Sequence, residues 1–221
     1  MEHGAVAYGI SEKAAIAASI GYLSYGEIDG RDAGGHSTGD ITAYDWYGSI
    51  GFGLRASDQM AIGLTGKFIN QKLDEVSGAT FAVDFGMKYY HERFTLGFMV
   101  ANVGPDMDFD GVSERLPSSA RLGVALRPFT ESILTSIEFD KHFYGGSVIR
   151  HGVEYGYLGQ YFVRAGYNYY PDQDNRSFGS GMCFGAGFRF SKATFDYAFT
   201  LGDSYASEDL HRLSLVLRFG R

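Results

Sequence analysis

The sequence predicts an all-β fold, an antiparallel up-and-down transmembrane β-barrel, and three observations carry that prediction. The first is alternation. In the last stretch Leu213, Leu215, Leu217 and Phe219 stand on one face and Arg212, Ser214 and Arg218 on the other, and just before it Phe195, Tyr197, Phe199 and Leu201 alternate with Thr194, Asp196, Ala198 and Thr200. Successive side chains of a strand point to opposite faces, so each stretch is a strand with one apolar and one polar side. The second is the make-up of the polar side, where Gly51, Gly53, Gly86, Gly97, Gly123, Gly152, Gly156, Gly185 and Gly187 sit among charges of both signs. A water-facing sheet would carry Thr, Lys and Glu there; small residues mixed with charges suit a confined lumen. The third is the strict alternation of short turns with longer connections, as a barrel with short periplasmic turns and longer outer loops requires.

Thirteen strands and no helix are read, over residues 4–10, 14–25, 44–55, 60–71, 79–90, 94–103, 119–128, 134–141, 147–157, 161–169, 181–190, 193–201 and 211–220. Most have the length, about ten residues, that a tilted strand needs to cross the hydrocarbon layer. Short turns fall around Ser11, Asp58, Glu92, Thr130, Gly159 and Lys192; longer connections begin near Asp29, Asp74, Gly104, Phe143, Pro171 and Gly202. Tyrosines gather near strand ends, as Tyr22 and Tyr25, Tyr89 and Tyr90, or Tyr155 and Tyr157, which suits interfacial girdles. Bacterial single-chain barrels have an even number of strands, so an odd count implies thirteen of a fourteen-strand barrel. Its open edge would be left as a gap, or narrowed by pairing of 4–10 with 211–220.

Composition agrees. The 221 residues form one domain, 1–221, undivided by any Pro- or Ser-rich linker, with 31 glycines and 16% aromatics. The mean hydropathy of -0.13 reflects a barrel that turns only half its strand residues to lipid. No apolar run approaches the roughly 18 residues of a transmembrane helix. A net charge of -7 argues against a nucleic-acid partner, which would want a basic stripe. The one cysteine, Cys183, falls on the polar face and reads as inert.

Three constellations bear on chemistry. Charges on the polar face, among them Lys67, Asp84, Arg121, Glu138, Asp140, Arg150, Glu154, Arg164 and Asp196, read as ion pairs that satisfy one another inside a narrow barrel. Gly35-His36-Ser37-Thr38-Gly39 matches the G-x-S-x-G pattern of serine hydrolases, but that motif works on a strand-to-helix turn and no helix follows in this sequence. No catalytic residue is assigned. The stretch Asp106-Met107-Asp108-Phe109-Asp110-Gly111, with Glu114 beyond it, resembles the opening half of a calcium loop. Asp106, Asp108, Asp110 and Glu114 are therefore the metal candidates and calcium the one ion the sequence suggests, against Pro117 standing where the loop's bidentate Glu belongs. No other cofactor is expected.

Two stretches carry a family resemblance. Asn102-Val103-Gly104-Pro105, leading to Leu116-Pro117-Ser118-Ser119-Ala120-Arg121-Leu122-Gly123-Val124-Ala125-Leu126-Arg127-Pro128, resembles the central signature of PorV/PorQ-family outer membrane proteins. The ending 211–220 is similar to that family's last strand. The resemblance implies a barrel like that of the FadL fatty-acid transporter, with fourteen strands and an N-terminal portion entering the lumen. It also implies a bacterial outer membrane location and, for some members, work in type IX secretion. A signal peptide, a plug region and a first strand would precede Met1, since Met1, Glu2 and His3 lead directly into a strand.

The leading reading is a non-enzymatic outer membrane barrel, secretion-associated or assembly-related, whose partners are the lipid bilayer and secreted or secretion-system proteins met through outer loops. The alternative is a FadL-like transporter of hydrophobic small molecules. A transporter needs an apolar pocket continuous with an opening, whereas a partner-binding barrel can be filled.

Overall fold

A computed structural model describes residues 1–31, 33–172, 180–202 and 209–219. Among these every regular element is a strand. In chain order they are β1 (Glu2–Gly9), β2 (Ala14–Arg31), β3 (Ser37–Arg55), β4 (Met60–Leu73), β5 (Val76–Tyr90), β6 (Phe94–Val103), β7 (Met107–Phe109), β8 (Val112–Glu114), β9 (Ser119–Leu126), β10 (Ile133–His142), β11 (Ser147–Tyr157), β12 (Tyr161–Tyr169), β13 (Met182–Phe190), β14 (Ala193–Thr200) and β15 (Leu210–Leu217). Thirteen of them form one sheet whose order is the chain order from β1 to β15, and β7 pairs only with β8. This is the up-and-down sheet of a barrel. β1 and β15 are its two ends, so the direct pairing of these strands that would narrow the gap is not found.

Where alternation is clean, strand limits coincide with those read from sequence, as in β6, β11 and β12. Three outer connections differ. β2 and β3 run on well past residue 25 and begin well before residue 44, through a register shift between Ser24 and Glu27 at which Gly26 takes φ 77°. The connection near Asp74 is no long loop but a turn of Asp74 and Glu75, with Asp74 at φ 57°. Strands that leave the bilayer keep their ladder hydrogen bonds but lose the apolar code, so sequence alternation underestimates them. The third difference is the segment after β6, which carries a hairpin of its own. The connections read at Pro171 and Gly202, and the last residue of the strand read at 211–220, extend outside the described residues.

The chain divides into two compact units, Met1–Lys88 with Met99–Ala120, and Tyr89–Phe98 with Arg121–Arg221. In the first, β5 displays the two-faced pattern from residue 78 to residue 85: Gly78, Thr80, Ala82 and Asp84 are buried while Ala79, Phe81, Val83 and Phe85 are exposed. In the second, Val163, Phe184, Phe195 and Leu215 are exposed on the apolar face. Large apolar side chains pointing outward in rows are what a lipid solvent asks for. The buried apolar cluster is correspondingly small: Ala82, Met107 and Leu116, with Ile69 and Phe109 packed against it.

Candidate functional site: an inward hairpin and a ladder of crossed ion pairs

That cluster marks the first site. β7 and β8 form a hairpin whose turn is Asp110-Gly111, at φ 51° and 83°. Positive φ at both central residues is the type I′ geometry, whose twist matches that of paired strands, and Asp-Gly is its favoured sequence. The hairpin does not project outward. Met107 is 2% exposed and its side chain, with the Asp108 carbonyl, lies over Gly78 of β5, where an added Cβ would come within 2.8 Å of both. Leu116 is 6% exposed in the same cluster. The hairpin is seated on the polar face of β4 and β5, where Ile69 and Ala82 meet it.

A polar latch holds its base. Asn102, at φ 58°, lies next to the end of β6 and turns the chain inward, and each of its polar atoms is engaged. Its N–H donates to Asp84 Oδ1 at 2.8 Å and its Oδ1 accepts from Lys67 Nζ at 2.9 Å. Its Nδ2 donates to the Pro117 carbonyl at 3.2 Å, and its own carbonyl accepts from Ser118 Oγ at 2.6 Å. Lys67 also pairs with Asp84 at 2.6 Å, both side chains being mostly buried. Thr80 Oγ1 donates to the Pro105 carbonyl at 3.0 Å, so β5 holds the chain on the hairpin's near side as well. The central signature thus has a structural meaning: Asn102, Pro105, Leu116, Pro117 and Ser118 are the contacts that fold the segment inward.

Gly104 belongs to the same set, because an added Cβ would run into the Phe81 carbonyl and come within 3.1 Å of Leu116 Cδ1. Gly104→Ala is expected to destabilise the folded protein by about 1 to 3 kcal/mol, as overpacking does. Urea unfolding followed by tyrosine fluorescence measures it; an unchanged midpoint would mean that this segment is not seated on β5.

The four metal candidates are placed by the same hairpin. Asp108 Oδ1 accepts from the Gly111 N–H at 3.1 Å, and Ser113 Oγ lies 3.5 Å from Asp106 Oδ2. Cross-strand partners share a face, and Glu114 pairs with Met107, while Asp108 pairs with Ser113. Asp108 and Glu114 therefore lie on opposite faces of one hairpin. Among the described residues no three His, Cys, Asp or Glu side chains are grouped to hold a metal ion. The sequence signal for the hairpin is Asp110-Gly111 flanked by Phe109 and Val112.

The second site is the polar face of the other unit. Arg150 of β11 donates through Nη1 to Glu138 at 2.8 Å and to Asp140 at 2.9 Å, both on β10. Asp140 is fully buried; Arg121 Nε stands 3.1 Å from it and His142 Nε2 3.8 Å. Arg164 of β12 donates through Nε to Glu154 of β11 at 2.6 Å and through Nη1 to Asp196 of β14 at 2.5 Å. To reach β14 it must cross β13, and it does so over Gly187. A Cβ there would collide with Asp196 Oδ1 and come within 3.0 Å of Arg164 Nη1. Gly185 and Gly187 are thus the floor across which Arg164 lies, and the expected mutual ion pairs form among Arg121, Glu138, Asp140, Arg150, Glu154, Arg164 and Asp196, while Arg189 and Arg218 join none among the described residues.

Two other residues find ordinary partners. Ser37 of the G-x-S-x-G match opens β3, pairs with Arg31 and donates to Asp29 Oδ1 at 3.2 Å; no helix follows it. Cys183 Sγ donates to the Gly181 carbonyl and accepts from Asn168 and Thr200, each at 3.5 Å.

A sheet of antiparallel strands in chain order, with one apolar face and a polar face that carries a seated hairpin in one unit and crossed ion pairs in the other, defines a bacterial outer membrane β-barrel. Its fold is that of FadL-type channels. The structure is similar to the toluene transporter TbuX of Ralstonia pickettii, at 12% identity and a TM-score of 0.69 over 96% of this chain and 78% of that one. It is similar also to the toluene transporter TodX of Pseudomonas putida, at 13% identity and 0.67 over 96% and 80%. The monoaromatic hydrocarbon channel CymD matches at 10% identity and 0.67 over 99% and 82%. No curated protein sequence matches. Residues 3–143 match the family of the type IX secretion system protein PorV, and the chain belongs to that family.

Proposed function

We propose that this chain serves type IX secretion as a non-enzymatic barrel that binds protein partners through its outer loops. The observation that supports this most is the use made of the polar face. A carrier of hydrophobic compounds needs a continuous apolar path. Here the face carries crossed ion pairs in one unit and a hairpin latched by Lys67, Asp84 and Asn102 in the other. An apolar concavity does exist on β13 to β15, but the side chains of Ala186, Phe188, Phe195, Tyr197, Leu213 and Leu215, which belong to the lipid-facing side, make up most of its lining, beside Gly187, Asp196 and Ser214.

The test is gentle extraction from native outer membranes, with bound proteins and bound lipids both identified by mass spectrometry. Secretion-system components or secreted cargo in stoichiometric amounts are the expected result. A stoichiometric fatty acid or aromatic hydrocarbon with no protein partner would overturn the reading in favour of transport of hydrophobic small molecules.

A further inference from the structure

The charges of the polar face do not cancel at the short-turn end of β13 to β15. Glu154 and Asp196 are both taken by Arg164. Arg189 on β13 and Arg218 just beyond β15 form no ion pair among the described residues. Each is nonetheless held in place. The Arg189 guanidinium stands 5.0 Å over the ring of Phe162, which Arg164 also faces at 5.5 Å. Arg218 Nη1 donates to Thr194 Oγ1 at 3.3 Å, and Thr194 is 6% exposed.

We propose that Arg189, Thr194 and Arg218 form a binding site for a carboxylate-bearing segment of a periplasmic protein. Arg189 pairs directly with Thr194 in the ladder, and the Arg218 N–H bonds the Lys192 carbonyl at 2.8 Å, so one arginine stands beside Thr194 on β13 and the other lies past the end of β15, two residues along from Thr194's partner Val216. Two strand spacings and a two-residue offset put their backbones about 12 Å apart, within which two long side chains can close on one carboxylate. Guanidinium donors fit a carboxylate in a two-pronged geometry, and the Thr194 hydroxyl, which accepts from Arg218, keeps its own hydrogen to give.

The position selects the source of the anion. These residues share the face of Phe162 and Asp196, opposite the lipid-facing Phe195 and Leu215, so a phospholipid headgroup does not reach them. The two-residue turn of Ser191 and Lys192 puts them at the short-turn end, which is periplasmic in barrels of this kind. In a chain of net charge -7 a local excess of cations steers an acidic segment to this end and away from the rest of the surface. The site involves none of the outer loops on which the proposed function relies, so either can fail alone.

The test is fluorescence anisotropy of a labelled decaglutamate peptide against the detergent-solubilised full chain, with decaglutamine, inorganic phosphate and anionic phospholipid vesicles as parallel probes. Decaglutamate is expected to bind, to bind more weakly as salt rises, and to lose about tenfold in affinity for each arginine removed in Arg189→Gln and Arg218→Gln. Equal binding of decaglutamine, or equal affinity of parent and variants, overturns the site. Vesicle binding lost in the variants while decaglutamate is unaffected assigns the arginines to lipid instead, and overturns it too. Heat-modifiable gel migration checks folding. Should the double variant fail to fold, Arg218→Gln, which lies outside β15, carries the same tenfold criterion alone.

Discussion

Lys67→Met is expected to destabilise the protein by about 3 to 5 kcal/mol, the largest effect of any single substitution in the latch. Lys67 and Asp84 are 20% and 9% exposed in their side chains, so removing the ammonium leaves a carboxylate in a setting that cannot hydrate it. The same substitution frees Asn102 Oδ1, and with it one of the bonds that turn the chain inward. Two measurements separate these consequences. Urea unfolding gives the global loss, and limited chymotrypsin digestion reports whether Phe109, at the hairpin tip, becomes accessible. Pairing the change with Asp84→Leu is expected to restore most of the stability, because the orphaned charge is gone, while cleavage at Phe109 persists for want of the latch. A Lys67→Met protein as stable and as resistant to digestion as the parent would show that the ion pair holds nothing.

The strands are legible in the sequence because lipid and lumen impose opposite chemistry on alternate residues, and a period of two survives any detail of curvature. β11 shows this: Val153, Tyr155 and Tyr157 against Gly152, Glu154 and Gly156 leave no other reading, and its limits coincide with the structure. The pattern fails where strands enter water. Glu27, Asp29 and Arg31 read as loop, yet they extend β2, whose partner residues Thr42, Asp40 and Ser37 continue the ladder. Individual ion pairs are out of reach for another reason. That Arg164 carries two carboxylates follows from its crossing of β13, and nothing local to residue 164 says that position 187 must be empty of side chain. The hairpin fails differently again. Its acidic residues suggest an outer surface, while the residues that decide its placement, Met107 and Leu116, gain meaning only against Ala82 and Ile69, which earlier strands supply.

The two-faced sheet also sets the second large effect. Leu215→Arg is expected to impair insertion into lipid vesicles by about 2 to 4 kcal/mol, the cost of a cation at the bilayer midplane of a barrel. Leu215 is 53% exposed on the apolar face of β15, between Leu213 and Leu217, where a guanidinium would meet lipid. Phe184→Arg on β13, at 48% exposure, is expected to behave alike. The control must lie on the other face, and its site matters. Gly185 is a poor choice, because an added Cβ would stand 3.4 Å from Arg164 Cβ and an arginine there would meet a like charge. Ser214 is a better one: it pairs with Asp196 across the ladder, so Ser214→Arg places its cation beside a carboxylate. Insertion scored by heat-modifiable migration is therefore expected to fall for Leu215→Arg and to stay near the parent level for Ser214→Arg. The reverse order, with Ser214→Arg excluded and Leu215→Arg tolerated, would mean that the charged face of this sheet is the one turned to lipid.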